Sequence, residues 1–324
     1  MRRSAFLFVF ALSGAAALIY EVVWTRLLTL HLGHGLAAAS AVLAAFMGGL
    51  AAGAGAAGRV AGRYSPSRAL RVYAGLEIAI AVLALLMPFA LVAVRPLLAT
   101  AYADGAGGGP FALLRLVTSV LLLCVPAACM GATFPIASRW MVRMASTAAQ
   151  DAGTLYASNT LGAAAGAVLA GFVLIPALGL SGSTFVGVAL NVIAAAGAYW
   201  ISRAPLVYPA SRLRADASAG QEAGHHTESG KSPKAQASTF AKASTSGKPT
   251  VDKTADKKGP PLRTDPIVPS SRLWLAATAL GVSGFASLTL QVVWTRLLVQ
   301  ILGPTTYAFS TVVSIFIIGI AGGA

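Results

Sequence analysis

Charge is scarce in this chain, and negative charge is scarcest. Ten Asp and Glu stand against 24 Lys and Arg, and charged residues make up only 10% of 324 positions. Soluble domains carry roughly a quarter charged residues, so an ordinary water-soluble enzyme or binding module is excluded for most of the length. Histidine occurs four times. His31 and His34 stand at HxxH spacing with no carboxylate or third ligand nearby, and His225-His226 falls in a polar stretch, so neither a metal site nor a cofactor is expected. The two cysteines, Cys124 and Cys129, lie in a single apolar run. A helix sets them on different faces, which argues against a disulfide. No Ser-His-Asp or Cys-His set is present, so no catalytic residue is assigned. Asp104–Gly109 looks like a nucleotide-binding glycine loop. It follows no strand, however, and Pro110 takes the place of the last glycine in GxGxxG. Lysine is missing everywhere outside 204–271.

What is abundant is apolar. Hydrophobic residues form 56% of the chain. A bilayer crossing needs about 20 mainly apolar residues, and eight stretches qualify: 5–30, 36–58, 72–95, 111–136, 153–176, 180–202, 273–300 and 305–324. Each is far longer than a barrel strand and none alternates polar with apolar, so helices are expected throughout. The opening MRRSAFLFVF has the charged-then-apolar character of a signal peptide. Its apolar run continues past the usual length, which favours a retained first span. Gly179-Leu-Ser-Gly182 predicts a tight turn between the fifth and sixth spans. Pro126 and Pro135 are expected to kink or end the fourth.

Arginine sets the expected orientation. Arg2 and Arg3 precede span one, Arg59, Arg63, Arg68 and Arg71 lie between spans two and three, and Arg139, Arg143 and Arg203 follow the same side. The positive-inside rule places the N-terminus in the cytoplasm, as for a multi-pass protein of a bacterial inner membrane. The net charge of +14 does not imply nucleic acid, because the cations flank spans or fall in one linker. That linker, 204–271, is rich in Lys, Ser, Thr, Ala, Gly and Pro and is expected to be disordered and cytoplasmic. Weak contact with anionic lipid headgroups is its one predicted interaction, at about 1 kcal/mol per charge.

The chain repeats itself. Residues 12–54 align with 282–324 without a gap and about half of the positions match, including Val-Val-Trp-Thr-Arg-Leu-Leu at 22–28 and 292–298. The expected architecture is therefore all-α and polytopic. A major facilitator-like six-span bundle (1–203) is followed by the linker (204–271) and the first two spans of a second bundle (272–324), which is expected to continue beyond Ala324.

Intramembrane charges are the natural places to look for chemistry, since each is costly. Glu21 lies in span one, five residues before Arg26. One reading is an acidic site for a cation or proton, with Arg26 as partner or gate. In the plainer reading Arg26 and Trp24 anchor the span at the interface while Glu21 pairs with a neighbouring helix. The second copy keeps Trp294 and Arg296 but replaces Glu21 with Gln291. Retention favours an anchoring or packing role for the Trp-Thr-Arg trio and leaves Glu21 and Gln291 as the chemical difference between halves. Glu77 is expected to bridge to Arg68 or Arg71 near the cytoplasmic interface. Asn159 is expected to bond across helices, with a substrate role as the alternative. Gly49 and Gly53, and Gly162 and Gly166, predict close helix–helix approach.

The motifs LSGAAALIYEVVWTRLL and LAAFMGGLAAGAGAAGR, with PAACMGATFPIASR (126–139) and GTLYASNTLGAAAGAVLAGFVLIPALGL (153–180), resemble the membrane region of a bacterial family. In its members a major facilitator-like region is fused to a spermidine synthase-like domain. SGFASLTLQVVWTRLL opens the second half in the same way. The resemblance covers nearly everything outside the linker. It implies a downstream aminopropyltransferase-like domain on a Rossmann-like sheet, which is not in this sequence, so no catalytic residue carries over. It further implies a polyamine-like solute as a partner of the membrane region. The alternatives are a membrane anchor or scaffold for such an enzyme, and a secondary transporter of an unrelated solute.

Overall fold

The structure, a computed structural model, describes residues 2–32, 36–102, 109–142, 144–203, 270–303 and 306–323. The elements are α1 (Arg2–Leu32), α2 (Leu36–Ala61), α3 (Pro66–Tyr102), α4 (Gly109–Met141), a 3₁₀ turn (Ala145–Thr147), α5 (Ala148–Leu169), a π turn (Ala170–Leu174) and α6 (Ile175–Arg203). They are followed by α7 (Ser270–Leu302) and α8 (Thr306–Gly323). No strand occurs among the described residues. Residues 1–205 with 282–324 form one compact unit and residues 206–281 another. Of the latter only the start of α7 is described, so residues 204–269 of the expected linker lie outside the described residues, as does the glycine loop at 104–108, while Ser270 and Ser271 belong to α7.

Five helical stretches are long and apolar enough to cross a membrane: Arg2–Leu30, Ser40–Ala61, Pro66–Pro96, Leu116–Met141 and Ala148–Arg203. The chain has the character of a membrane protein, because only helices satisfy every backbone polar group in hydrocarbon. The last stretch has 56 residues. As one straight helix it would run about 84 Å, nearly three times a hydrocarbon core of about 30 Å. It folds back instead. At Gly179 φ is 69° and ψ is −175°, a conformation that only glycine adopts readily. Packing against α1 shows the reversal. Ala11 and Ala15 of α1 meet Gly162 and Gly166 of α5, rising together, whereas Val9 and Tyr20 meet Gly197 and Gly187 of α6, running oppositely.

Glycine sets the distances between helices. A methyl group at Gly162 or Gly166 would overlap backbone atoms of Ala11 or Ala15 in α1. One at Gly53 would overlap Ala128 of α4, and one at Gly131 of α4 would overlap Leu50 of α2. Thus α1 seats on α5 and α2 on α4 at near-contact of their backbones. On its other side α5 packs with α8, where Gly171 in the π turn makes room for Ser310.

Two expectations need correction. Of the kink or end expected at Pro126 and Pro135, the end does not occur, since α4 runs through both to Met141. Each proline removes one backbone hydrogen bond, a loss that packing with neighbouring helices absorbs in a bundle. The third span is also longer than 72–95, because α3 starts at Pro66 directly after Ser65, whose carbonyl accepts the Ala69 N–H at 2.9 Å. Proline suits the first helical position, where its missing N–H leaves nothing unpaired.

Two apolar layers fill the bundle. One holds Phe6, Phe10, Leu70, Tyr73, Ile136, Trp140 and Ile201. The other holds Ile19, Tyr20, Trp24, Leu28, Phe46, Ile80, Met87 and Leu123. On α1 the boundary between them falls at Ser13, on α3 at Glu77 and on α6 at Asn191.

Candidate functional site

At that boundary three helices converge on one carboxylate. Glu77 of α3 is 0% exposed. The Ser13 hydroxyl of α1 donates to its Oε1 at 2.6 Å, and the Asn191 amide of α6 donates to its Oε2 at 2.6 Å. The Tyr20 hydroxyl of α1 in turn donates to Asn191 Oδ1 at 2.7 Å. Helix geometry makes the set possible. Ser13 and Tyr20 are seven residues apart and Tyr73 and Glu77 four apart, so each pair shares a helix face. Gly187 completes it, because a methyl there would come within 2.6 Å of the Tyr20 ring. With no side chain at 187, the ring lies against α6 and its hydroxyl reaches Asn191.

The Tyr73 hydroxyl lies near the same carboxylate but is buried without a hydrogen-bond partner of acceptable geometry. Among the described residues no cation joins the cluster. Among the described residues the ion pair present is Arg3 with Asp151, at 2.8 Å. The expected bridge from Glu77 to Arg68 or Arg71 is therefore replaced by neutral partners. The reason is angular. Glu77 shares its face with Tyr73 and Ile80, whereas Arg71, six residues back, sits about 120° away on an exposed face.

Glu21 is 5% exposed and makes no hydrogen bond or ion pair with any described residue. Successive residues are about 100° apart on a helix, so Glu21 does not share the contacts of Tyr20. Trp24 is 1% exposed, stacked on Tyr20 at 5.1 Å and edge-on to Phe46 at 6.5 Å. It packs in the core rather than anchoring at an interface. Arg26 is half-buried. In the second copy Trp294 is 51% exposed. Gln291 is half-buried, its backbone carbonyl accepting from Thr295 at 2.7 Å, and the Arg296 side chain lies outside the described residues. Asn159 is half-buried where α5 crosses Gly14. The cross-helix bond expected of it comes from its neighbour, since Ser158 Oγ donates to the Leu7 carbonyl at 2.6 Å.

At the start of α1, Arg3 also donates to the Met141 carbonyl at 3.2 Å, and Thr147 donates to Asp151 at 3.1 Å. This ties α1 to the α4–α5 connection. Cys124 and Cys129 are free thiols. Among the described residues no three His, Cys, Asp or Glu side chains group as a metal site.

Ser13, Tyr20, Tyr73 and Asn191 are not among the site residues expected from sequence. Asn191 carried a signal, being an amide inside an apolar span and the same kind of cost as a buried charge. No protein-family model, curated protein or solved structure matches the chain.

Proposed function

We propose that this chain is the membrane region of a spermidine synthase-like fused protein and recognises a polyamine-like cation through Glu21. The observation that carries this reading is a carboxylate buried in an apolar bundle with no partner among the described residues. A charged side chain at membrane depth is costly until a counter-ion reaches it, and an aliphatic ammonium supplies one while its methylenes suit apolar walls. In this reading the bundle has a major facilitator-like arrangement. The fifth and sixth of its first six crossings are joined by the hairpin at Gly179, the N-terminus and linker are cytoplasmic, and the membrane is a bacterial inner one. Gln291 in the repeated helix has the shape of Glu21 without its charge, so recognition of the cation falls to the first bundle.

The test is uptake of labelled spermidine by liposomes holding the purified chain. Glu21→Gln is expected to reduce it at least about tenfold, the equivalent of about 1.4 kcal/mol of lost interaction. Equal uptake by wild type and Glu21→Gln refutes the role of Glu21. No uptake by either, with normal insertion, favours an anchor for a cytoplasmic enzyme.

A further inference from the structure

We propose that Glu77 is a proton-binding site of the bundle, taking up and releasing one proton while Ser13 and Tyr73 reorient their hydroxyl hydrogens around it. This is a second site, on α3 rather than α1, and it requires no particular solute.

Ser13 bonds differently from comparable residues. Several other helical hydroxyls bond back to the preceding turn: Ser138 to Phe134 at 2.8 Å, Thr160 to Tyr156 at 2.8 Å, Ser183 to Gly179 at 2.6 Å and Thr184 to Leu180 at 2.9 Å. Ser13 instead donates across to Glu77. Its own preceding turn offers the Val9 carbonyl in the position that those other residues use. In the proposal that carbonyl takes the hydroxyl hydrogen when Glu77 no longer needs it.

With Glu77 ionised, Ser13 and Asn191 donate to its two oxygens. The Tyr73 hydroxyl, one turn back on the same face and buried without a partner, is in the proposal a third neutral donor that turns toward them. With Glu77 protonated, the added hydrogen on Oε1 donates to Ser13 Oγ, and the Ser13 hydrogen turns to the Val9 carbonyl. Asn191 continues to donate to Oε2, and Tyr20 holds the amide in that orientation from its other end. One proton enters from water, no other atom is exchanged and no helix need move. Both states satisfy the oxygens of the carboxyl group, the condition for a buried polar network to persist.

The surroundings fit a proton better than a metal cation. The Asn191 amide, held by Tyr20, presents a fixed N–H to Oε2, which repels a metal cation there. The titratable groups facing the site are Tyr73 from α3 and, through Asn191, Tyr20 from α1. From α6 the facing group is the neutral Asn191 itself, and α4 contributes apolar side chains such as Ile136 to the adjoining layer. Among the described residues no charged side chain faces Glu77 from these helices.

Infrared difference spectroscopy of the full chain in lipid nanodiscs, between about pH 4 and about pH 10, tests this over the range in which carboxyl groups of very different environments titrate. The expected result is a protonated-carboxyl band that gains on acidification as a carboxylate band is lost. The pair disappears in Glu77→Gln and remains in Glu21→Gln. Glu77→Gln keeps a carbonyl for Asn191 and an N–H for Ser13, so its packing is preserved. Ser13→Ala should keep the band but shift its frequency, because the carboxyl group has lost its hydroxyl partner. Spectra of Glu77→Gln identical to wild type overturn the proposal. If Glu77→Gln does not fold, an unshifted band in Ser13→Ala does the same.

Discussion

Replacing Gly162 by Ala tests whether backbone contact between α1 and α5 sets the position of α1. The added methyl would lie 2.6 Å from the Ala11 carbonyl carbon and 2.8 Å from its Cα. Carbon atoms rest at roughly 3.5–4.0 Å, so α1 must move by about 1 Å. The obstructing atoms are main chain, so no rotamer change relieves them. Displacement away from α5 presses α1 onto α6, where Tyr20 already occupies the space left by Gly187. Overpacking of this kind costs about 1–3 kcal/mol, and the upper end applies when neither neighbour can yield. Gly75→Ala is the control, since Gly75 is exposed and nothing lies within 4 Å of its added methyl. That change should stay within about 0.5 kcal/mol of wild type. Unfolding in mixed micelles of increasing SDS content, followed by the fluorescence of buried Trp24 and Trp140, measures both. Equal stability of Gly162→Ala and wild type refutes the packing argument, as does a Gly75→Ala variant that loses as much.

Gly179→Ala should lose about 1–3 kcal/mol in the same assay from backbone strain alone, because φ is 69° and no atom crowds the site. Ser13→Ala leaves a buried carboxyl oxygen one donor short and should cost about 1–3 kcal/mol, whereas Tyr20→Phe, which removes a bond between neutral groups, should cost about 1 kcal/mol. The double variant should deviate from additivity by at least about 0.5 kcal/mol if Asn191 and Glu77 transmit between them, although the two side chains do not bond each other. Arg3→Ala should change stability by less than about 1 kcal/mol, since Arg3 is 51% exposed and water screens its pair with Asp151.

The helices were legible in the sequence because hydrocarbon permits few alternatives to a long apolar run, and the turn at Gly179 was legible from its glycines. The glycines at 49, 53, 162 and 166 also indicated close approach, without naming the partner helix. The polar site was only partly legible. Glu77 stood out by its charge, but its proximity in sequence to Arg68 and Arg71 suggested the wrong partners. Its actual donors lie 64 and 114 positions away, and only the arrangement of α1, α3 and α6 brings them together. The Trp-Thr-Arg repeat shows the same limit. Trp24 is enclosed by Tyr20 and Phe46 while Trp294, in the same local sequence, is half exposed. Burial depends on neighbours that the motif does not encode.

The wide turn at Ala170–Leu174 acts on the helix as a phase shift. Gly166 before it addresses Ala15 of α1, and Gly171 within it addresses Ser310 of α8. A π turn carries one residue more than regular winding needs, so it sets the angle between those two addresses separately from the sequence on either side. Removing one residue from 170–174 would restore the regular winding and rotate one face against the other by about 100°. Either α1 or α8 would then meet a side chain where it now meets a glycine. A single codon's worth of length, rather than any one side chain, decides whether this helix can hold both neighbours at once.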